Sequence, residues 1–207
     1  MPDVSDALIV HRPAAATRLL LLFHGVGSSA EDLLPLGRAL AAQWPEACVI
    51  SVRSTERSEF GAGWQWFSVQ GISEASRPAR VAAAMPGFVR TVRHWQQQTG
   101  LDAAATTLLG FSQGAIMALE STQQPTALAG CVVAIAGRYA APPRIAPAGT
   151  RIHLLHGEAD PVMPLRLSVD ALAQLQALGA SATLDRFPGL GHGIDQRVLG
   201  KLVERLG

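Results

Sequence analysis

Short apolar runs alternate with stretches of helical spacing along almost the whole chain. The runs are ALIVH (7–11), RLLLLFHG (18–25), ACVISVRS (47–54), TTLLGFS (106–112), CVVAIAG (131–137), RIHLLHG (151–157) and ATLDRFP (182–188). Most are continuous, as expected of strands covered on both faces. Helical stretches lie near 30–43, 78–98, 114–122, 164–178 and 194–206. In the fourth, Leu165, Val169, Leu172, Leu175 and Leu178 recur at three-to-four spacing before Gly179. Such alternation predicts an α/β fold, a central mostly parallel sheet with helices on both faces. The length of 207 residues predicts one domain spanning 1–207, with no room for a large cap domain.

Composition narrows the partners. Seventeen basic residues face sixteen acidic ones, for a net charge of +1. That balance gives no electrostatic reason to expect nucleic acid. The early apolar run LLLLF is too short for a signal core or a membrane span, and no basic region precedes it, so a cytoplasmic location is expected. Cys48 and Cys131 lie inside apolar runs and read as small core hydrophobes.

In a parallel sheet, ligands bind beyond the carboxyl ends of the strands. Four such ends carry unusual chemistry: HGVGSS, GFSQG, HGEADP and GLGHG. GFSQG fits G-x-S-x-G, a tight strand-to-helix turn that holds a serine in a strained conformation above the sheet. Ser112 is therefore the candidate nucleophile, with Gly110 and Gly114 where side chains would collide with neighbouring backbone.

A serine hydroxyl needs a base, and the base needs a group to fix its tautomer. His192, after the last strand in a loop with Gly189, Gly191 and Gly193, is the best placed of six histidines. Asp160, just past a strand, is the candidate acid, with Glu158 ranked below it. The order Ser, acid, His is that of the α/β hydrolases. Two backbone donors for an oxyanion are expected, the N–H of Gln113 and the N–H of Val26 between Gly25 and Gly27. His24 beside them is read as a brace or as a buried structural residue.

The segments LLLLFHGVGSSAEDLLPLG, GFSQGAIMAL, LLHGEADPVMP and GLGHGI resemble the phospholipase/carboxylesterase group of α/β hydrolases, which includes acyl-protein thioesterases and small bacterial carboxylesterases. The resemblance covers nearly the whole chain. It implies Ser112, Asp160 and His192 as a triad and the amides of Val26 and Gln113 as an oxyanion hole. Thioesterases of this group typically read HGLGD where this chain has HGVGSS, so the surroundings of the oxyanion hole differ.

The segment 54–72 holds Phe60, Trp64, Trp66 and Phe67, and long loops over a site tend to be functional. The resemblance places Trp66 and Phe67 as substrate-binding residues. The reaction expected is hydrolysis of small-molecule carboxylic esters, with thioesters as an extension, on short to medium acyl chains and without a metal or cofactor. A homodimer is compatible with the sequence. Other readings are an acyl-protein thioesterase or lysophospholipase, a peptidase or acyltransferase on the same triad, and a non-catalytic binder. Metal hydrolysis through His153, His156 and Glu158 is disfavoured, because histidines three apart on a strand face opposite ways.

Overall fold

The structure, a computed structural model, describes residues 7–207. The chain opens with β1 (Ala7–His11) and β2 (Arg18–Phe23), then a single 3-10 turn leads into α1 (Leu34–Gln43). Next come β3 (Ala47–Val52), a two-residue hairpin of β4 (Glu56–Arg57) and β5 (Trp64–Gln65), and the long α2 (Arg77–Thr99). The remainder is β6 (Thr106–Phe111), α3 (Gln113–Ser121), β7 (Cys131–Ile135), β8 (Arg151–Gly157), α4 (Arg166–Ala177), β9 (Ala182–Phe187) and α5 (Gln196–Leu206).

Seven strands form one sheet in the order β1-β3-β2-β6-β7-β8-β9. All neighbours are parallel except β1, which runs antiparallel to β3 at the edge. The continuous runs therefore have the expected cause. Leu19 through Phe23 are no more than 2% exposed, so β2 has no solvent face. Alternation sends Leu19, Leu21 and Phe23 to one layer, with α2, α3 and α4, and Leu20 and Leu22 to the other, with α1 and α5. Each such side chain contributes about 1.5–3 kcal/mol on burial.

The β4–β5 hairpin inside 54–72 was not apparent from its two-residue strands. In α4 the buried line is Ser168, Ala171 and Leu175, whereas Val169 is exposed and Leu165, Leu172 and Leu178 are half-buried. The leucine stripe expected from spacing is thus rotated, because small residues lie closest to the sheet and Ser168 bonds His156 beneath it. Among the described residues, no helix is long and apolar enough to cross a membrane.

Candidate active site

β6 ends directly against the start of α3, and Ser112 is the joint. Its φ of 53° and ψ of −114° lie where a side-chain-bearing residue is strained. The strain is held by the flanking backbone, with the Ser112 N–H donating to the Ile135 carbonyl at 3.0 Å. The two glycines are required sterically. A Cβ at Gly110 would lie 2.4 Å from the Ala115 nitrogen, and one at Gly114 would lie 2.2 Å from the Phe23 carbonyl oxygen.

His192 and Asp160, 80 and 32 residues from their partners in sequence, meet Ser112 above the sheet. The Ser112 Oγ is 2.9 Å from His192 Nε2, and His192 Nδ1 is 2.7 Å from Asp160 Oδ2. A carboxylate only accepts, so Nδ1 carries the ring proton and Nε2 is left to accept from the serine hydroxyl. The Asp160 side chain is fully buried. Burial pushes its carboxyl up, but the Met163 amide, His192 and the Val162 amide together bring it below the ordinary aspartate value. The two amides donate to Oδ1 at 2.9 and 2.8 Å, leaving Oδ2 for the imidazole. Phe111 packs its ring against His192.

His156 lies behind this acid. Its Nε2–H donates to the Met163 carbonyl at 2.6 Å and comes within 3.6 Å of Asp160 Oδ2, and its Nδ1 bonds the Ser168 hydroxyl. Burial lowers its pKa, so it is a neutral support for the turn that feeds Asp160 its amides. His153 bonds Thr183 instead, so the two do not share a ligand. Among the described residues no group of three His, Cys, Asp or Glu could hold a metal ion. Glu158 pairs with Arg186 at 2.9 Å, away from the imidazole.

Val26 follows β2 in a turn pressed against the serine. A Cβ on Gly25 would come within 3.2 Å of the Ser112 Cβ. The Gly27 and Ser28 amides are taken by Trp64 and Gly25 carbonyls, while the Val26 N–H has no acceptor among the described residues. The Gln113 N–H, at the first position of α3, has no partner inside the helix by geometry. Its orientation at the positive end of the helix also favours an anion. His24 braces this turn. It is wholly buried, accepts from the Ser54 N–H at Nε2 (3.1 Å) and donates from Nδ1 to the Gly25 carbonyl (2.7 Å). Burial lowers its pKa, which keeps it neutral.

The Gln113 side chain has a second task that the sequence did not reveal. Its Oε1 accepts from the Trp66 N–H and its Nε2 donates to the Phe67 carbonyl, each at 2.7 Å. The residue after the nucleophile therefore clamps the 54–72 segment. A polar side chain at that position in an otherwise apolar helix start is the only sequence signal for it.

A cavity of about 560 Å³ opens on Ser112, a volume suited to a small ligand. Val26, Phe67, Gln113, Ile116, Met163 and Leu167 are among its walls. Phe67 lines this cavity. Trp66 is not among the residues lining it: its ring packs edge-on against Phe23 and Phe88, and its Nε1–H donates to the His24 carbonyl at 2.9 Å. It borders a separate cavity beside α2. Phe60 is 60% exposed, and Trp64 is sandwiched between the Arg53 and Arg57 guanidinium groups.

The family described as phospholipase/carboxylesterase matches residues 5–206. An esterase of Escherichia coli, YpfH, is 48% identical over 202 residues, covering 97% of this chain and 87% of that protein. The crystal structure of esterase PE8 superposes with a TM-score of 0.87 at 31% identity, covering 97% of this chain and 95% of that one. A Bacillus cereus carboxylesterase shares the fold with a TM-score of 0.79 at 21% identity, covering 96% and 92%.

Proposed function

The chain belongs to the phospholipase/carboxylesterase family and is a carboxylic ester hydrolase, and from that premise we propose that Ser112, His192 and Asp160 carry the reaction through an acyl-enzyme. The carrying observation is the continuous chain Ser112 Oγ, His192, Asp160, with contacts of 2.9 and 2.7 Å, at a strained elbow. His192 Nε2 takes the hydroxyl proton as Ser112 Oγ bonds the carbonyl carbon. Charge moves onto the carbonyl oxygen, where the Val26 and Gln113 amides donate to it. Asp160 stabilises the imidazolium without taking its proton. When the tetrahedral adduct collapses, the C–O bond to the alcohol breaks and His192 Nε2 gives that oxygen its proton. Water then enters, loses a proton to His192 and attacks the acyl-enzyme. Collapse of the second adduct returns the proton to Ser112 Oγ and frees the acid.

The substrate is a small-molecule ester with a short to medium acyl chain, held along the apolar cavity wall that includes Phe67. Thioesters fit the same chemistry, with a thiol as leaving group. The test is a fluorophosphonate probe together with Ser112→Ala. The probe labels Ser112, and the variant loses about three to six orders of magnitude in kcat while its circular dichroism is retained. Labelling of another serine, or full activity in the variant, would falsify the assignment.

A further inference from the structure

The cavity beside Ser112 has a charge that the molecule as a whole lacks. The chain is nearly neutral, at +1. The cavity wall, however, holds three guanidinium groups, Arg77, Arg138 and Arg166, against one carboxylate, Glu74. The three arginines come from different places: the first turn of α2, the turn after β7 and the first turn of α4. Ala136, two residues before Arg138, has a φ of 49°.

Two of the three guanidinium groups are confined. Arg138 and Arg77 have side chains only 13% and 14% exposed. Both bond Glu74, Arg138 through both terminal nitrogens at 2.9 and 2.6 Å and Arg77 through one at 2.6 Å. The Arg138 and Arg77 bonds hold the Glu74 pKa down to about 2, so its charge persists at any working pH. Glu74 itself is 71% exposed and sits on a surface segment. Arg166 is exposed and has no hydrogen bond or ion pair among the described residues. One carboxylate thus leaves a surplus of positive charge and several N–H donors on a wall that otherwise includes Phe67, Val69, Ile72 and Ile116.

We propose that this cavity selects esters whose acyl part ends in an anionic oxygen group, a carboxylate or a phosphate, recognised by Arg166 together with Arg77 and Arg138. The inference rests on the esterase reading above and names its substrate class. The carbonyl lies at Ser112, the methylene chain runs along the apolar wall, and the terminal anion reaches the arginines, where charge-assisted hydrogen bonds are strong.

The experiment compares kcat/KM for monoethyl adipate, ethyl ω-phosphonohexanoate and neutral ethyl hexanoate at low salt. The charged esters are expected to be preferred by about tenfold to a hundredfold. The preference should shrink as salt is added, because an exposed cation is screened. It should also shrink in Arg166→Gln and, separately, in Arg77→Gln, with melting temperatures recorded for both. The better of the two charged esters identifies the anion. Hydrolysis of ethyl hexanoate without any preference for a charged ester overturns this inference alone. A preference unchanged in both variants, with native melting temperatures, also overturns it. No hydrolysis of any ester and no labelling of Ser112 overturns the esterase mechanism as well.

Discussion

The two sides of the cavity are held by different means. On one side, Ser112 and Asp160 take their positions from backbone: a strained joint between β6 and α3, and a turn that aims two amides at a carboxylate. On the other side, beyond the short β4–β5 hairpin and its backbone bonds to the Gly27–Ser28 turn, residues 54–76 are tied down by side chains. Gln113 clamps the backbone at Trp66 and Phe67, and Glu59 gathers the Val69 and Gln70 amides and the Ser68 hydroxyl. Ser54 bonds the Gln65 carbonyl, and Glu74 ties the far end to Arg77 and Arg138. The proposed reacting groups are therefore built on the sheet, whose geometry the core enforces. The substrate-facing wall hangs on polar contacts that single substitutions can change.

Substitutions on each side test that contrast. The largest effect is expected for Asp160→Asn, about 10⁴-fold in kcat, because an amide no longer fixes the imidazole tautomer. Glu158→Gln, two residues before Asp160 in the same loop, should change kcat little, since its carboxylate faces Arg186 at the surface. Steady-state kinetics on one neutral ester decides between them, and a larger loss in Glu158→Gln would reverse the assignment of the acid.

Trp66→Ala should act on stability. It empties a site packed between Phe23 and Phe88 and leaves the His24 carbonyl without its donor, at a cost of about 3–5 kcal/mol. Activity on short and long acyl esters should fall alike. A chain-length profile that changes while the melting temperature holds would return Trp66 to the pocket wall.

The smallest effect concerns pH. His24, His153 and His156 are buried and have lowered pKa values, so the folded protein keeps them neutral where an unfolded chain would protonate them. Below the ordinary histidine value of about 6.5, the unfolded state binds more protons and stability is lost as pH falls. Above that value the contribution is fully present. Melting temperatures taken downward from neutral pH should fall progressively, and less so in His24→Gln. A curve that is flat through this window would show that burial of these rings costs nothing.

Much of this was readable because strand ends have a fixed chemistry. A polar residue after a continuous apolar run has few structural excuses, and Ser112 follows one; Asp160 and His192 lie three and five residues past the ends of β8 and β9. The side-chain-built wall was harder to read. Trp66 and Phe67 are adjacent aromatics, and nothing in their order says which faces the cavity. Arg77, Arg138 and Arg166 are far apart in sequence and meet only because the segments before β6, after β7 and after β8 come together at one end of the sheet. The buried face of α4 was hidden by its own composition, because Ser168 and Ala171 score below the leucines that surround them.

Gln113 joins the two sides through one residue. Its N–H opens α3 as one of the two proposed oxyanion donors, and its carboxamide grips the backbone at Trp66 and Phe67. Libraries that randomise positions 54–72 to alter selectivity will therefore also shift the nucleophile's neighbour. Variants that keep the backbone at 66 and 67 free to meet that carboxamide should survive screening far more often than those that insert or delete residues there. The loop and the elbow are joined by these two hydrogen bonds, and the practical unit for engineering is both together.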